Sequence, residues 1–240
     1  IKICKFLVEK GIDKNIKNSQ GQTALDFAKM RNLTESIDFL EKGIYKEPDT
    51  WQNLNQEAIR YYNQGKIDKA SEAMEKACSY IAQKSGEESE DYATALHNFA
   101  RLKKSTGSYQ IAETLFLKSL AIREKNNSKN LNISINELAS NFYAKGNYTK
   151  ALEYYLKLLK LQPENSLEYA STLDYIGNMH YLNTSFKASE EAYKKSLSIL
   201  KSQGKETSID YAIILSNLGN LLQDMARYNE AKEVYRQSLH

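Results

Sequence analysis

Apolar residues recur along most of the chain at helical spacing, in blocks that repeat about every 40 residues. The clearest block covers residues 92–125, where two apolar helical stripes flank a turn at Thr106 and Gly107. Four weaker copies of this block occur along the chain. A repeat of this kind predicts stacked helix pairs, because each pair leaves an apolar face that the next pair covers.

Four positions of the block keep one type of side chain in all five copies. The copies align on a small residue that begins the second helix, and a second small residue lies 12 positions earlier. A large residue lies 4 positions later, and a branched aliphatic residue lies 16 positions earlier. Small residues allow two antiparallel helices to approach closely, and the large residue fills the gap between neighbouring pairs. In this order the four sets are Ala70, Ala112, Ala151, Ser189 and Ala231; Ala58, Ala100, Ala139, Gly177 and Gly219; Met74, Phe116, Tyr155, Tyr193 and Tyr235; and Leu54, Leu96, Ile135, Leu173 and Leu215.

The turns between the two helices of a pair separate the copies into two groups. Gly65, Gly107 and Gly146 stand at the first three turns, where a left-handed backbone is convenient. Thr184 and Ala226 stand at the same place in the last two copies. We therefore expect the fourth and fifth turns to have a different geometry.

This register resembles that of the tetratricopeptide (TPR) family over residues 51–240. The copies lie 38 to 42 residues apart, longer than the usual 34, and are similar to the repeats of kinesin light chain. Residues 92–98 (YATALHN) and 120–125 (LAIREK) look closest to that subgroup. The resemblance implies an all-α fold, an α-solenoid of about five helix-turn-helix repeats whose last repeat is truncated.

Residues 1–46 carry a different pattern. The segments FLVEKGID (6–13) and GQTALDFA (21–28) resemble the end of an ankyrin-repeat array, and they cover about one and a half repeats. Thr23 is the expected N-cap of the helix that follows it. Since about three repeats are needed for stability, we expect further ankyrin repeats upstream or direct packing onto the helices that follow. Pro48 marks the expected junction, with Asp49 or Thr50 as the cap of the next helix.

Charge and composition exclude several kinds of partner. The chain has 33 basic and 30 acidic residues, a net charge of +3, and no run of five like charges. We therefore expect no nucleic-acid binding, and we expect no membrane insertion because no apolar stretch approaches ~20 residues. Cys4 and Cys78 are too far apart to suggest a disulfide framework, which favours a cytoplasmic protein, or a host cytoplasm for a secreted effector.

A search for reaction chemistry finds no catalytic constellation. The three histidines, His97, His180 and His240, have no Cys or carboxylate at a metal-binding spacing. His97 and His180 are expected to be solvated or to line a groove, and Cys78 is expected to be a packed side chain. We therefore predict no catalytic residue, no metal and no cofactor.

The TPR resemblance implies a concave groove lined by the first helix of each repeat. Asparagine amides there can pair with the backbone of an extended peptide, or can simply solvate the surface. Tyr62, Tyr143 and Tyr181 are either peptide anchors or packing residues, and His97, Arg101 and Lys104 form a small basic patch that favours acidic groups. The candidate groove residues are Asn55, Tyr62, His97, Asn98, Arg101, Lys104, Asn136, Tyr143, Asp174, Asn178, Tyr181, Asn217 and Asn220.

Two functions fit these observations. The first is a non-catalytic interaction scaffold that binds a partner protein or a linear peptide in the groove. The alternative is the recognition arm of a larger enzyme, signalling protein or secreted effector, whose catalytic domain lies outside these residues. Self-association through the last repeat, which leaves an uncovered face, is a third hypothesis.

Overall fold

The structure is a computed structural model that describes residues 13–42 and 50–239. Within these ranges it contains twelve helices and no strand, as the all-α prediction requires. The chain divides into two compact units, Ile1–Asn53 and Leu54–His240. The helices are α1 (Ala24–Met30), α2 (Thr34–Lys42), α3 (Trp51–Asn63), α4 (Ile67–Ser85), α5 (Glu90–Ser105), α6 (Tyr109–Lys125), α7 (Leu131–Ala144), α8 (Tyr148–Leu159), α9 (Leu167–Leu182), α10 (Phe186–Ser202), α11 (Ile209–Asp224) and α12 (Tyr228–Gln237).

The first unit contains α1 and α2, and Thr23 caps α1 as predicted. The Thr23 Oγ1 accepts a hydrogen bond from the backbone N–H of Asp26 at 3.1 Å. The Asp26 carboxylate accepts one from the backbone N–H of Thr23 at 2.9 Å, and this contact lowers the pKa of Asp26. Residues 6–12 of the ankyrin-like motif and the predicted junction at Pro48 lie outside the described residues.

Thr50 is the residue that caps α3. Its Oγ1 accepts a hydrogen bond from the backbone N–H of Asn53 at 3.2 Å, which confirms one of the two predicted caps. Serine performs the same task at three later first helices. The Oγ of Ser89, Ser166 and Ser208 accepts a hydrogen bond from the backbone N–H three residues later, at 3.1 to 3.2 Å.

The second unit consists of five helix pairs in the predicted register. The first helices are α3, α5, α7, α9 and α11, and the second helices are α4, α6, α8, α10 and α12. From α4 onward each helix packs against the next one along the chain. The four aligned sets of residues are all buried, apart from Tyr235, which is half-buried on α12. The positions that the repeat alignment singled out are therefore the ones that pack the helix pairs into an α-solenoid.

Two buried serines join the helices within a pair. The Ser119 Oγ donates a hydrogen bond to the carbonyl of Ala93, and the Ser196 Oγ donates one to the carbonyl of Ala170, both at 2.7 Å. Both serines lie seven positions after the small residue that begins the second helix. Each of these bonds satisfies a hydroxyl that would otherwise be costly to bury.

All five turns within the pairs close in the same way, so the prediction that the fourth and fifth differ is wrong. The turn residue has a φ between 58° and 79° in every pair: Gly65, Gly107, Gly146, Thr184 and Ala226. The residue that follows donates its N–H to the carbonyl five residues earlier, as from Ser185 to His180 at 2.8 Å. These hydrogen bonds hold Thr184 and Ala226 in a backbone conformation that costs a residue with a side chain about 1–2 kcal/mol.

Candidate functional site

The predicted groove residues other than His97, which is buried, lie on one surface, here called the groove surface. It consists of the first-helix positions 15, 14, 11 and 8 residues before the small residue that begins each second helix. The first helices of successive pairs lie next to one another along this surface. Contacts between successive first helices, as between α5 and α7 and between α9 and α11, make this surface continuous there.

Two asparagines of this surface bridge successive repeats. The Asn98 Nδ2 donates a hydrogen bond to the Oδ1 of Asn55, and the Asn217 Nδ2 donates one to the Oδ1 of Asp174, both at 3.1 Å. In both bonds the donor lies 14 residues before the small residue of its own repeat. The acceptor lies 15 residues before the small residue of the preceding repeat. These amides therefore help to hold neighbouring repeats together.

Two further asparagines support tyrosines of the second helices. The Asn178 Oδ1 accepts a hydrogen bond from the Tyr193 hydroxyl at 3.1 Å, and its Nδ2 donates to the carbonyl of Asp174 at 3.0 Å. The Asn220 Oδ1 likewise accepts from the Tyr235 hydroxyl at 2.7 Å. Asn178 uses both ends of its amide inside the protein, whereas Asn220 is exposed.

The structure places His97 in the interior, which corrects the expectation that it is solvated or lines the groove. Its side chain is 6% exposed, and its ring meets the ring of Phe116 edge-on, with centroids 5.5 Å apart. Burial, together with the nearby charge of Arg123, lowers the pKa of His97 to about 4. Because a neutral buried imidazole carries no charge at pH 7, His97 does not contribute to a basic patch.

The basic patch is consequently reduced to one available cation. The Lys104 Nζ donates hydrogen bonds to Glu137 at 3.0 Å and to the Ser140 hydroxyl at 2.8 Å. The Arg101 Nε lies 3.8 Å from the same carboxylate, and the Arg101 side chain is 61% exposed. Since Lys104 already neutralises Glu137, Arg101 is the cation that this surface presents to solvent.

The groove tyrosines differ in exposure. Tyr62 and Tyr143 are 39% and 48% exposed, and the Tyr143 ring contacts that of Tyr148 with centroids 5.9 Å apart. Tyr181 is half-buried, and its hydroxyl donates a hydrogen bond to Asp224. Asn136 is half-buried at the equivalent of the Asn55 position. Tyr62 and Tyr143 are therefore the more exposed of the three.

An open depression of about 530 Å³ lies between α3 and α5. It contains four of the predicted groove residues together with apolar residues that sequence reasoning missed. Ile59 is one of these and is 53% exposed. The repeat alignment could have identified Ile59, because the equivalent residues of the other repeats are all polar (Arg101, Ser140, Asn178 and Asn220). The lining residues are Asn55, Ala58, Ile59, Tyr62, Met74, Asn98, Arg101, Leu102 and Ser105.

Sequence reasoning also missed a buried arginine between the second and third repeats. Arg123 is 3% exposed, and its guanidinium donates hydrogen bonds to Glu90 (3.1 Å), Ser134 (2.7 Å) and Thr94 (3.1 Å). The signal was available in the repeat alignment. The equivalent residues of other repeats are Ile81, Gln162 and Leu200, so a charge is unusual at this position.

Other candidate chemistry is structural. Cys78 is buried as predicted, and burial raises the pKa of its thiol to about 11, which keeps it protonated. Among residues 13–42 and 50–239, no three His, Cys, Asp or Glu side chains are grouped so that they could hold a metal ion. None of the helices in the described part of the chain is long and apolar enough to cross a bilayer.

Comparison with protein families places the array in a known class of repeats. A family model described as tetratricopeptide repeat matches residues 52–125, 131–202 and 168–239. The matched ranges cover most of the chain and coincide with the five helix pairs. No curated protein sequence gives a significant match.

Solved structures share the fold at low sequence identity. A putative kinesin light chain with nearly identical TPR-like repeats from Podosopora anserina has a TM-score of 0.68 at 19% identity, over 78% of this chain and 92% of that one. BtubC (BKLC) from P. vanneervenii has a TM-score of 0.68 at 18% identity, over 90% and 85%. MamA from Desulfovibrio magneticus RS-1 has a TM-score of 0.61 at 15% identity, over 81% and 96%. The first of these agrees with the predicted likeness to kinesin-light-chain repeats.

Proposed function

The chain belongs to the tetratricopeptide-repeat family, and we propose that residues 51–240 bind a partner protein, without catalysis, by holding an extended segment of it on the groove surface. The observation that carries this proposal is the open depression between α3 and α5, which joins four predicted groove residues. It exposes apolar side chains beside hydrogen-bonding groups, a combination typical of peptide-binding sites.

The lining of the depression favours a particular ligand chemistry. Ile59 and Tyr62 provide partly exposed apolar area that an inserted side chain would cover. Arg101 lies in the opposite wall, on α5, and none of the described residues that line the depression is a carboxylate. A guanidinium forms paired hydrogen bonds with a carboxylate. The preferred ligand therefore has an apolar side chain close to an acidic one.

The amides of the surface divide into two roles in this proposal. An amide offers both donors and an acceptor, and a bond to a neighbouring repeat uses only part of that capacity. Asn55 and Asn98 keep polar atoms for a peptide backbone and lie in the depression. Asn178 uses both ends of its amide inside the protein, so its contribution is to packing.

A pair of isoleucine variants tests the site. Twelve-residue peptides are selected from a random library on the wild-type chain, and their dissociation constants are measured by fluorescence anisotropy. Ile59→Glu should weaken binding about tenfold or more, because it places a carboxylate in an apolar contact and beside an acidic ligand. Ile111→Glu is the matched control, since Ile111 is 51% exposed but lies on the second helix α6.

The control variant should change binding less than about twofold. Equal losses in the two variants would place the binding site elsewhere. Selection that yields no binding peptide would overturn the proposal itself.

The first unit has a separate assignment. We propose that residues 1–46 are the end of an ankyrin-repeat array and that residues 51–240 are the TPR array. The short helices α1 and α2 and the capped turn at Thr23 support this division, and the family match begins at residue 52. Separate expression of residues 51–240 tests it, because a division at this point requires that piece to fold into helices without residues 1–46, which circular dichroism measures. A piece that shows no helical signal would contradict the division.

A further inference from the structure

We propose that the ligand of the groove surface is bipolar, with a basic segment that lies over α9 and α11 at the end opposite Arg101. This inference rests on the proposed function and adds the chemistry of a second subsite and the order of charges along the ligand. Three observations carry it: the charges of the first helices, the environment of Asp174, and the exposed groups Asp224 and Tyr175.

The first helices change sign along the array. α9 and α11 together carry four carboxylates, at Glu168, Asp174, Asp210 and Asp224, and no lysine or arginine. α5 alone carries three cations, and α3 carries a fourth. These four are Arg60, Arg101, Lys103 and Lys104, beside the carboxylates Glu57, Glu90 and Asp91. Of these charges, Arg101, Lys104 and Asp174 occupy groove-surface positions, and Lys104 is paired with Glu137. A ligand that covers the groove from α5 to α9 therefore meets the cation Arg101 at one end and the carboxylate Asp174 at the other.

Asp174 is a half-buried carboxylate whose contacts are neutral amides. The Asn217 Nδ2 donates to its Oδ1 at 3.1 Å, and the Asn178 Nδ2 lies 3.4 Å from the same atom. In the described ranges no lysine, arginine or histidine lies within ion-pairing distance of it. Burial, together with the charge of Asp210, raises its pKa. A desolvated carboxylate of this kind gains from an incoming cation more than an exposed one does.

Two further groups suit a cationic side chain at this end. Asp224 accepts a hydrogen bond from the Tyr181 hydroxyl and has no cation within ion-pairing distance among the described residues. Tyr175 is 43% exposed, and its ring is stacked on Tyr155 with centroids 5.0 Å apart and planes at 17°. Tyr175 follows Asp174 on α9, and an exposed aromatic ring attracts lysine and arginine through its quadrupole.

The helix spacing sets the separation of the two charges in the ligand. Asp174 lies two first helices away from Arg101, and Asp224 lies three away. Packed helices are about 10 Å apart, so these steps span about 20–30 Å. An extended peptide advances about 3.3 Å per residue, which places the basic residues about six to nine positions from the acidic one.

Library selection on charge variants tests the second subsite. Random twelve-residue peptides are selected in parallel on the wild-type chain and on the double variant Asp174→Asn and Asp224→Asn. On the wild type, the selected peptides should carry lysine or arginine about six to nine positions from an acidic residue. On the double variant the acidic residue should persist, whereas lysine and arginine should fall to their frequency in the unselected library.

The dissociation constant of one selected peptide is then measured by fluorescence anisotropy on the wild-type chain and on the variants. The double variant should weaken its binding about 5- to 30-fold, and replacing its basic residues with serine should remove that difference. The matched control is Glu191→Gln and Glu233→Gln, which removes two exposed carboxylates from α10 and α12 and should leave binding unchanged. Circular dichroism melting of both double variants confirms that each is folded.

The outcomes separate this inference from the proposed function. Selected peptides that lack the basic segment, or a basic segment that persists on the Asp174 and Asp224 variant, would overturn the bipolar ligand and leave the groove intact. An equal loss in the control double variant would show a general charge effect and would also overturn the second subsite. Failure of any peptide to bind the wild type would overturn both.

Discussion

Gly177 lies so close to the ring of Tyr193 that a side chain in its place would force the ring to move. A Cβ built on Gly177 would be 2.5 Å from the Tyr193 Cε1 and 2.6 Å from its Cδ1. The Tyr193 hydroxyl donates to the Oδ1 of Asn178, the residue after the glycine, and this bond holds the ring over the glycine. Gly219 and Tyr235 repeat the arrangement in the last pair, again at 2.5 Å.

Gly177→Ala should therefore destabilise the array although alanine favours helix. The methyl group forces the buried Tyr193 ring to move, which we expect to lower the free energy of unfolding by about 1–3 kcal/mol. Urea denaturation followed by circular dichroism measures the change. In the background of Tyr193→Met, which copies the Ala58 and Met74 pair of the first repeat, the same substitution should cost less. Equal costs in both backgrounds would contradict the steric explanation.

Glycine at the fourth and fifth turns should stabilise the protein. Thr184 and Ala226 adopt left-handed φ values of 59° and 58°, and glycine accepts this conformation without a Cβ penalty. We expect Thr184→Gly and Ala226→Gly each to raise the free energy of unfolding by about 0.5–1 kcal/mol after the entropic cost of glycine. The thermal midpoint gives the measurement. Gly146→Ala is the reciprocal control and should lower stability by about 1 kcal/mol.

Loss of the carboxylate partner of Arg123 should be costly. Glu90→Gln leaves a guanidinium that is 3% exposed without its counter-charge. Because the Glu90 side chain is itself 39% exposed, we expect a loss of about 2 kcal/mol, below the value for a fully buried pair. Glu88→Gln removes the partner of Lys125 in a pair whose side chains are 66% and 67% exposed, and it should cost less than about 0.5 kcal/mol. Similar losses in urea denaturation would show that burial of Arg123 does not decide the effect.

His97 should make the array less stable in mild acid. Its folded pKa of about 4 lies below the value of ~6.5 in an unfolded chain. Between these values the unfolded chain binds a proton that the folded chain does not, so stability falls as the pH is lowered. From pH 7 to pH 5 this histidine should contribute a loss of about 2 kcal/mol.

The variant His97→Phe tests the assignment, because it keeps an aromatic ring beside Phe116 and does not titrate. The difference in unfolding free energy between pH 7 and pH 5 should shrink by about 2 kcal/mol in this variant. His180→Phe serves as the comparison, because burial lowers the pKa of the half-buried His180 as well. Since His180 is less buried than His97, its variant should change the pH dependence less. An unchanged pH dependence in His97→Phe would refute the assignment.

The repeat architecture could be predicted from the sequence because packing imposes it at fixed intervals. Ala112 and Phe116 must be small and large wherever two helices cross, and the same demand recurs in every copy. The geometry of the turns was predicted wrongly, because residue type alone suggested that Thr184 and Ala226 avoid a left-handed backbone. The hydrogen bonds that end the helix outweigh that local preference.

The candidate site was less predictable, since side-chain partners on different repeats are about 40 residues apart. The sequence alone does not show which partner an asparagine has, such as Asn55 for Asn98 or Asp174 for Asn217. His97 was expected in the groove because it occupies the same first-helix position as Asn55 and Asn136, yet its ring packs against Phe116. Arg123 could have been found as a charge at an otherwise uncharged position of the alignment.

The packing of each helix against its neighbours along the chain has a consequence for cooperativity. Because the contacts are local in the sequence, the array can begin to fold at any pair and can open from its ends without disturbing the middle. An extended partner that touches α3, α5, α9 and α11 together would join pairs that otherwise exchange their amide hydrogens independently. Occupancy of the groove would then convert a row of nearest-neighbour contacts into a single cooperative unit.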